Sequence, residues 1–394
     1  MIFSSLSSFN IVNPQRLSAL SPIKTCLSPR LSMYERLPQR LQPFLTWLTA
    51  QPAPGELPME RMPQCFVVAA LSQTLIGAAL TVIALMVCPG LVPFGMLLTT
   101  AGLGLFQVVV FHHCSHGTVF KSRDTNVRVG RLVSAILLFK HFDHYKQGHM
   151  LHHSNNKLLT EEDEFADFVF NTCRLEAGTE LPLLRRRVLL SLVSPLFHAQ
   201  FTFRRIRAAW GSHDSRHNLV GMVVWGGLAL IALATGQWLA FLLAWVLPVT
   251  VLLQAATVGR ILCEHSFPGP DVIAARGRDL SAQATGGVFP GTMPPNRRAT
   301  SVRGAFAWFG WWANMLIVQL FVRTVVLVGD APCHDYHHRK PASRRWTDYI
   351  HARQNDKEAG SAVLKTAYSE TWGLFRAVDA TLASLSRLPF GTPL

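Results

Sequence analysis

Four uncharged apolar runs, grouped in two pairs, dominate the pattern: Cys65–Val87 and Leu91–Phe111, then Leu219–Ala234 and Trp238–Val258. At 1.5 Å rise per residue, about 20 such residues cross a hydrocarbon layer about 30 Å thick, so each run predicts a membrane-spanning helix. The third is the shortest and needs its polar flanks Asn218 and Thr235 to reach across. The turns within the pairs, Cys88-Pro89-Gly90 and Thr235-Gly236-Gln237, carry no charge, whereas the other side carries Arg185, Arg186, Arg187, Arg204, Arg205 and Arg207. The bias of positive charge toward the cytoplasm therefore puts both turns outside. The N-terminus, residues 112–218 and the C-terminal third fall inside.

Three further apolar stretches are ambiguous. Leu132–Phe139 is too short to span, Val188–Phe203 is broken by Pro195 and His198, and Phe306–Val328 is long enough but holds Asn314, Gln319 and Arg323. Trp308, Trp311 and Trp312 suit the membrane surface, and a crossing here would strand the histidines at 334–338 on the other side from those at 112–153, so an interfacial helix is expected. Residues 266–303 are rich in Gly and Pro and read as an irregular loop. Residues 1–60 read as a tail, poorly ordered or interfacial, with Met33 as an alternative start and a short interfacial helix over Leu41–Leu48. The membrane domain then covers 61–352, and 353–394 read as a C-terminal cytoplasmic tail.

Composition agrees. The 394 residues are 49% hydrophobic and only 15% charged, well below the quarter or so usual for a soluble domain. Thirty-seven basic against 23 acidic residues leave +14; with so apolar a chain this fits basic cytoplasmic faces, not nucleic-acid binding. Seven scattered cysteines without a C-x-x-C pair exclude a disulfide scaffold and read as free thiols. The excess of Arg over Lys suggests a GC-rich bacterial gene, hence a bacterial inner membrane.

The sixteen histidines are informative through their placement. His112 and His116 form H-x-x-x-H directly after the second run; His149, His152 and His153 form H-x-x-H-H, and His334, His337 and His338 repeat it. Positions i, i+3 and i+4 share a helix face, so each box can gather its imidazoles. His265 follows the fourth run closely. With four spans and no crossing at 306–328, all nine lie on one membrane face. The other seven, including His113 and His144, read as surface, interfacial or supporting residues.

Nine imidazoles exceed the three or four ligands of one zinc and fit two metals; imidazole alone does not choose among Zn, Cu, Fe and Ni. The chain contains no E-x-x-H pair of the soluble di-iron bundles and no H-E-x-x-H of zinc proteases. A transporter with a histidine relay would place ionisable residues inside its spans, and the four runs contain none.

Together HHCSHGTVF from His112, NVRVG from Asn126, HMLHH from His149 and HDYHH from His334 resemble the membrane-bound fatty acid desaturase and hydroxylase superfamily over residues 60–350. Glu264-His265 is similar to the E-H motif of the related alkane hydroxylases. The resemblance implies an all-α membrane fold of two helical hairpins, under which a cytoplasmic cap holds two iron ions through His112, His116, His149, His152, His153, His265, His334, His337 and His338. It also implies O2 as co-substrate, two electrons per turnover and oxidation of an unactivated C–H bond in a fatty acyl chain, carried as lipid, acyl-CoA or acyl-carrier protein. The expected reaction is desaturation; hydroxylation, acetylene formation and alkene-forming decarboxylation would use the same boxes. No fused cytochrome b5 motif is present, so electrons would come from a separate protein such as a ferredoxin. Asp163, Glu164, Asp167, Glu264 and Asp335, which flank the boxes, are candidate acceptors for the ligands' second ring nitrogens.

Overall fold

Apolar length, proline starts and glycine contacts together explain the first hairpin. In the computed structural model, which describes residues 28–297, 299–360 and 366–390, two short helices come first, α1 (Pro29–Arg36) and α2 (Gln42–Thr49). The first hairpin follows: α3 (Pro63–Val87) opens on a proline whose missing N–H costs nothing at a first turn, and α4 (Pro89–Ser115) returns after the Cys88-Pro89 break. The pair packs through small residues. A Cβ built on Gly77 would stand 2.3 Å from the Thr99 amide nitrogen, and one on Gly102 would stand 2.3 Å from Thr74 Oγ1. Close backbone approach of this kind replaces the hydrophobic drive that is missing in lipid.

Next come α5 (Arg123–Leu137) and α6 (Phe142–His152), then α7 (Leu181–Val193) and α8 (Pro195–Trp210), split at Ser194-Pro195. The second hairpin is α9 (Ser215–Ala234) with α10 (Trp238–Glu264). All four predicted spans are therefore present as helices. A fifth helix, α13 (Val302–Val326), is also long and apolar enough to cross a membrane. Its contacts are with α2, the 291–297 segment and, near its end, α4. Trp311 and Met315 pack on Leu45 and Leu48 of α2, the Trp308 and Trp311 indoles donate to the carbonyls of Arg297 and Thr292, and Val322–Val326 join a core with Val108 of α4.

Residues 266–303 are more regular than their composition suggests. They form α11 (Pro270–Ala275), α12 (Arg278–Ala284) and strand β1 (Gly287–Phe289). β1 pairs in parallel with β2 (Glu370–Trp372), Val288 opposite Thr371. Pairing with a strand 83 residues later, as from Val288 to Thr371, is a signal that local composition does not carry. After α13 come α14 (His334–Arg339), α15 (Tyr349–Glu358) and α16 (Leu374–Arg387). The segment read as a C-terminal tail thus contains a strand and a packed helix, with Leu382 and Leu385 buried against Phe267 and Leu280. At the other end, Arg30 lies ahead of Met33 and is buried, donating to Gln42, Thr46 and the Gln51 carbonyl. The reading of residues 1–27 lies outside the described residues.

Candidate metal centre

The site is assembled where four chain segments end on one side of the bundle. Box one continues α4 beyond its apolar run. Asn126 fixes the turn that follows: its side-chain oxygen accepts from the amides of Val119 and Phe120, and its amide donates to the carbonyls of Phe120 and Ser122. Box two is the last turn of α6, box three lies on α14, and His265 caps α10 in extended backbone. That extended residue bridges to Thr285, and its carbonyl accepts from Thr381 Oγ1 on α16 at 2.7 Å. The presumed loop and tail are therefore what hold His265 in position.

All nine predicted histidines converge, in two groups. His112, His116, His149, His153 and His337 form one; His152, His265, His334 and His338 form the other. In the first, Nε2 of His337 is 2.8 Å from that of His112 and 2.9 Å from that of His153, and His149 Nε2 is 2.9 Å from His116. In the second, His334 Nε2 lies 3.1 Å from His265 and 3.0 Å from His338. Each H-x-x-H-H box divides between the groups. A step of about 100° per residue puts i+3 and i+4 on opposite sides of i. His149 and His153 therefore turn to one group and His152 to the other, and in box three His334 and His338 go one way and His337 the other.

Burial sets the charge state. His149, His153, His265, His337 and His338 are held well below the usual imidazole range, first by loss of water and then by neighbouring histidines, so each ring is neutral, with one N–H and one nitrogen whose lone pair can ligate. Lone pairs facing one another at about 3 Å repel unless a shared proton or a cation lies between them. The buried Nδ1 atoms of His153 and His265 have no protein partner. A buried, neutral, all-imidazole donor set in two clusters suits two borderline divalent cations, iron among them. His152 is the exception: burial lowers it, but the charge and hydrogen bond of Asp163 outweigh this and raise it.

Asp163 is the one flanking carboxylate that reaches a box. Its Oδ1 is 2.6 Å from His152 Nδ1, and it also accepts from the amides of Leu159 and Phe165. This leaves His152 Nε2 for the centre. The other four candidates turn elsewhere: Glu164 pairs with Lys140, Asp167 with Asn171, Glu264 with Arg260 and Asp335 with Arg353. Asp163→Asn should lower turnover by about 10–100-fold, with a matching loss of bound metal; unchanged turnover and metal content would remove Asp163 from the site.

Sequence reasoning missed a supporting pair. His113 is buried, with Nε2 2.9 Å from Asp330 Oδ2 and its ring stacked 4.0 Å from Trp346. It belongs to neither group, and nothing local to His113 announces a partner 217 residues away. His141, His198, His217 and His351 are buried as well, and only His144 and His213 of the remaining histidines are exposed.

Beside the histidines lies a cavity of about 330 Å³. Its wall includes Phe111, Phe139, Phe165 and Phe168, and it touches His112 and His149 of the first group and His152, His265 and His334 of the second. Apolar helices of membrane-spanning length, two buried imidazole clusters able to hold metal ions and a cavity with a phenylalanine-rich wall against both fit a membrane-bound enzyme. Residues 87–353 match the family described as Fatty acid desaturase, and the chain belongs to that family of oxidoreductases. No curated protein matches the chain.

Proposed function

We propose that the chain is a non-haem di-iron fatty acyl desaturase, removing two hydrogens from an acyl chain with O2 and two electrons from a separate carrier of the ferredoxin type. The observation that carries this reading is the cavity that meets imidazoles of both groups along a phenylalanine-rich wall. His112, His116, His149, His153 and His337 would hold one iron; His152, His265, His334 and His338 the other. Bound there, the irons would supply O2 activation and hydrogen abstraction from an unactivated C–H bond.

The chain's own residues supply placement. Phe111 and Phe139 pack 5.4 Å apart, and Phe111 also lies 4.5 Å from Tyr145, whose ring stacks on His149 with 9° between planes. This aromatic wall would hold a methylene chain against the imidazoles. Orientation of that chain decides whether a second hydrogen leaves or oxygen is inserted.

The contacts of α13 with α2 and the 291–297 segment support a helix lying at the membrane surface, so four helices cross and both termini face the cytoplasm, in a bacterial inner membrane. The membrane domain would cover 61–352. Expression in a bacterial host with mass spectrometry of extracted acyl chains tests the reaction. Products lighter by two hydrogens are expected; added oxygen, a lost terminal carbon or a triple bond would replace desaturation by hydroxylation, decarboxylation or acetylenation.

A further inference from the structure

A second pocket, of about 180 Å³, lies between α2, α3 and the end of α13 and shares no lining residue with the cavity at the histidines. Two guanidinium groups enter it, Arg61 just ahead of α3 and Arg323 on α13, and its apolar side is made by Phe66, Ala69 and Leu105. Arg323 is 3% exposed. It donates from Nε to the Trp47 carbonyl at 2.9 Å, and also to the Leu327 carbonyl and the Tyr349 hydroxyl, with the rings of Trp47 and Tyr349 about its guanidinium at 5.6 and 5.8 Å.

Every one of these partners is neutral. Among the described residues neither Arg323 nor Arg61 has a carboxylate within the 4.0 Å of an ion pair. A guanidinium does not give up its proton in a protein, and a buried charge without a counter-ion is expensive. Carbonyls and ring faces offset part of that cost; an anion between the two arginines would offset more, through charge-assisted hydrogen bonds.

The setting decides what kind of anion. Arg61 stands two residues before the first residue of α3, and Arg323 is on the final turn of α13, both at the end of the bundle that carries the histidines. This is headgroup depth, with Trp47 beside it as an interfacial aromatic. From there Cys65, Phe66, Ala69 and Gln73 continue along one face of α3 into the hydrocarbon. A polar end with two cations and an apolar trough below match a phosphodiester with attached acyl tails.

We propose that this pocket binds one anionic phospholipid, its phosphate between Arg61 and Arg323 and one tail along Phe66 and Ala69. The test is native mass spectrometry of the full chain released from detergent, titrated separately with phosphatidylglycerol and phosphatidylcholine. One phosphatidylglycerol should bind at least about tenfold more tightly than phosphatidylcholine, and Arg61→Gln should remove that preference. Arg61 is exposed, so this variant leaves the packing of α3 intact. Arg186→Gln, on the exposed basic face of α7, should retain the preference. Equal binding of the two lipids, or undiminished phosphatidylglycerol binding by Arg61→Gln, would overturn the proposal. Displacement by millimolar inorganic phosphate, or by oleate with the same dependence on Arg61, would overturn it in favour of a free-anion or fatty-acid site.

Discussion

Turnover should fall below detection when His337 or His334 is replaced by alanine. Each is the hub of its group: His337 Nε2 stands within 2.9 Å of both His112 and His153, and His334 Nε2 within 3.1 Å of both His265 and His338. Alanine leaves a gap in the donor set that no neighbouring carboxylate fills, because Asp335 is engaged with Arg353 and Glu264 with Arg260. Iron measured on purified, folded protein should drop by about one ion per chain for either variant, since a ligand is lost from only one cluster. His144→Ala, at an exposed position on α6, should keep both turnover and iron. Wild-type activity in either hub variant would discard the division into two groups.

The second large effect concerns stability. Asp335 and Arg353 are 1% and 2% exposed, and the guanidinium meets the carboxylate from both Nε and Nη2 at 2.8–3.0 Å. Nη1 continues to Glu370 on β2 at 3.0 Å. Replacing Asp335 with alanine leaves the buried guanidinium only the half-buried Glu370 carboxylate, which Lys357 shares, and should cost about 3 kcal/mol, the lower end for breaking a buried pair, still a large share of the 5–15 kcal/mol typical of a domain. Thermal unfolding in detergent should show a clear fall in midpoint. The double variant Asp335→Leu with Arg353→Met should recover most of it, because both charges then leave together. No recovery in the double variant, or no fall in the single, would show that the pair does not carry that load. The flanking position of Asp335 beside His334 invites a role at the metals; its geometry gives it one in holding α14 against α15 and β2.

How far the sequence discloses this protein depends on the range of the interaction concerned. Spans are local: twenty apolar residues and a proline-bearing turn suffice, and the two hairpins stand where the pattern puts them. The boxes are local too, since helical spacing alone gathers each trio. Their convergence is what four crossings, with none at 306–328, would lead one to expect. What is hidden is long-range and polar. Asp163 could be named as a candidate, but only folding separates it from Glu164, Asp167, Glu264 and Asp335, which sit equally near the boxes in sequence. The placement of His265 depends on Thr285 and on Thr381, 116 residues distant, in segments whose Gly, Pro and charged residues suggest little order. His113 and Asp330 find each other in the same way.

The division of each H-x-x-H-H box has a mechanical consequence. One turn of α6, and likewise one turn of α14, reaches into both clusters, so their arrangement is tied to the rotation of a helix, about 100° per residue, instead of to the reach of a loop. A tilt of either helix carries donors of both clusters along together, and the twin centres behave as a single rigid fitting.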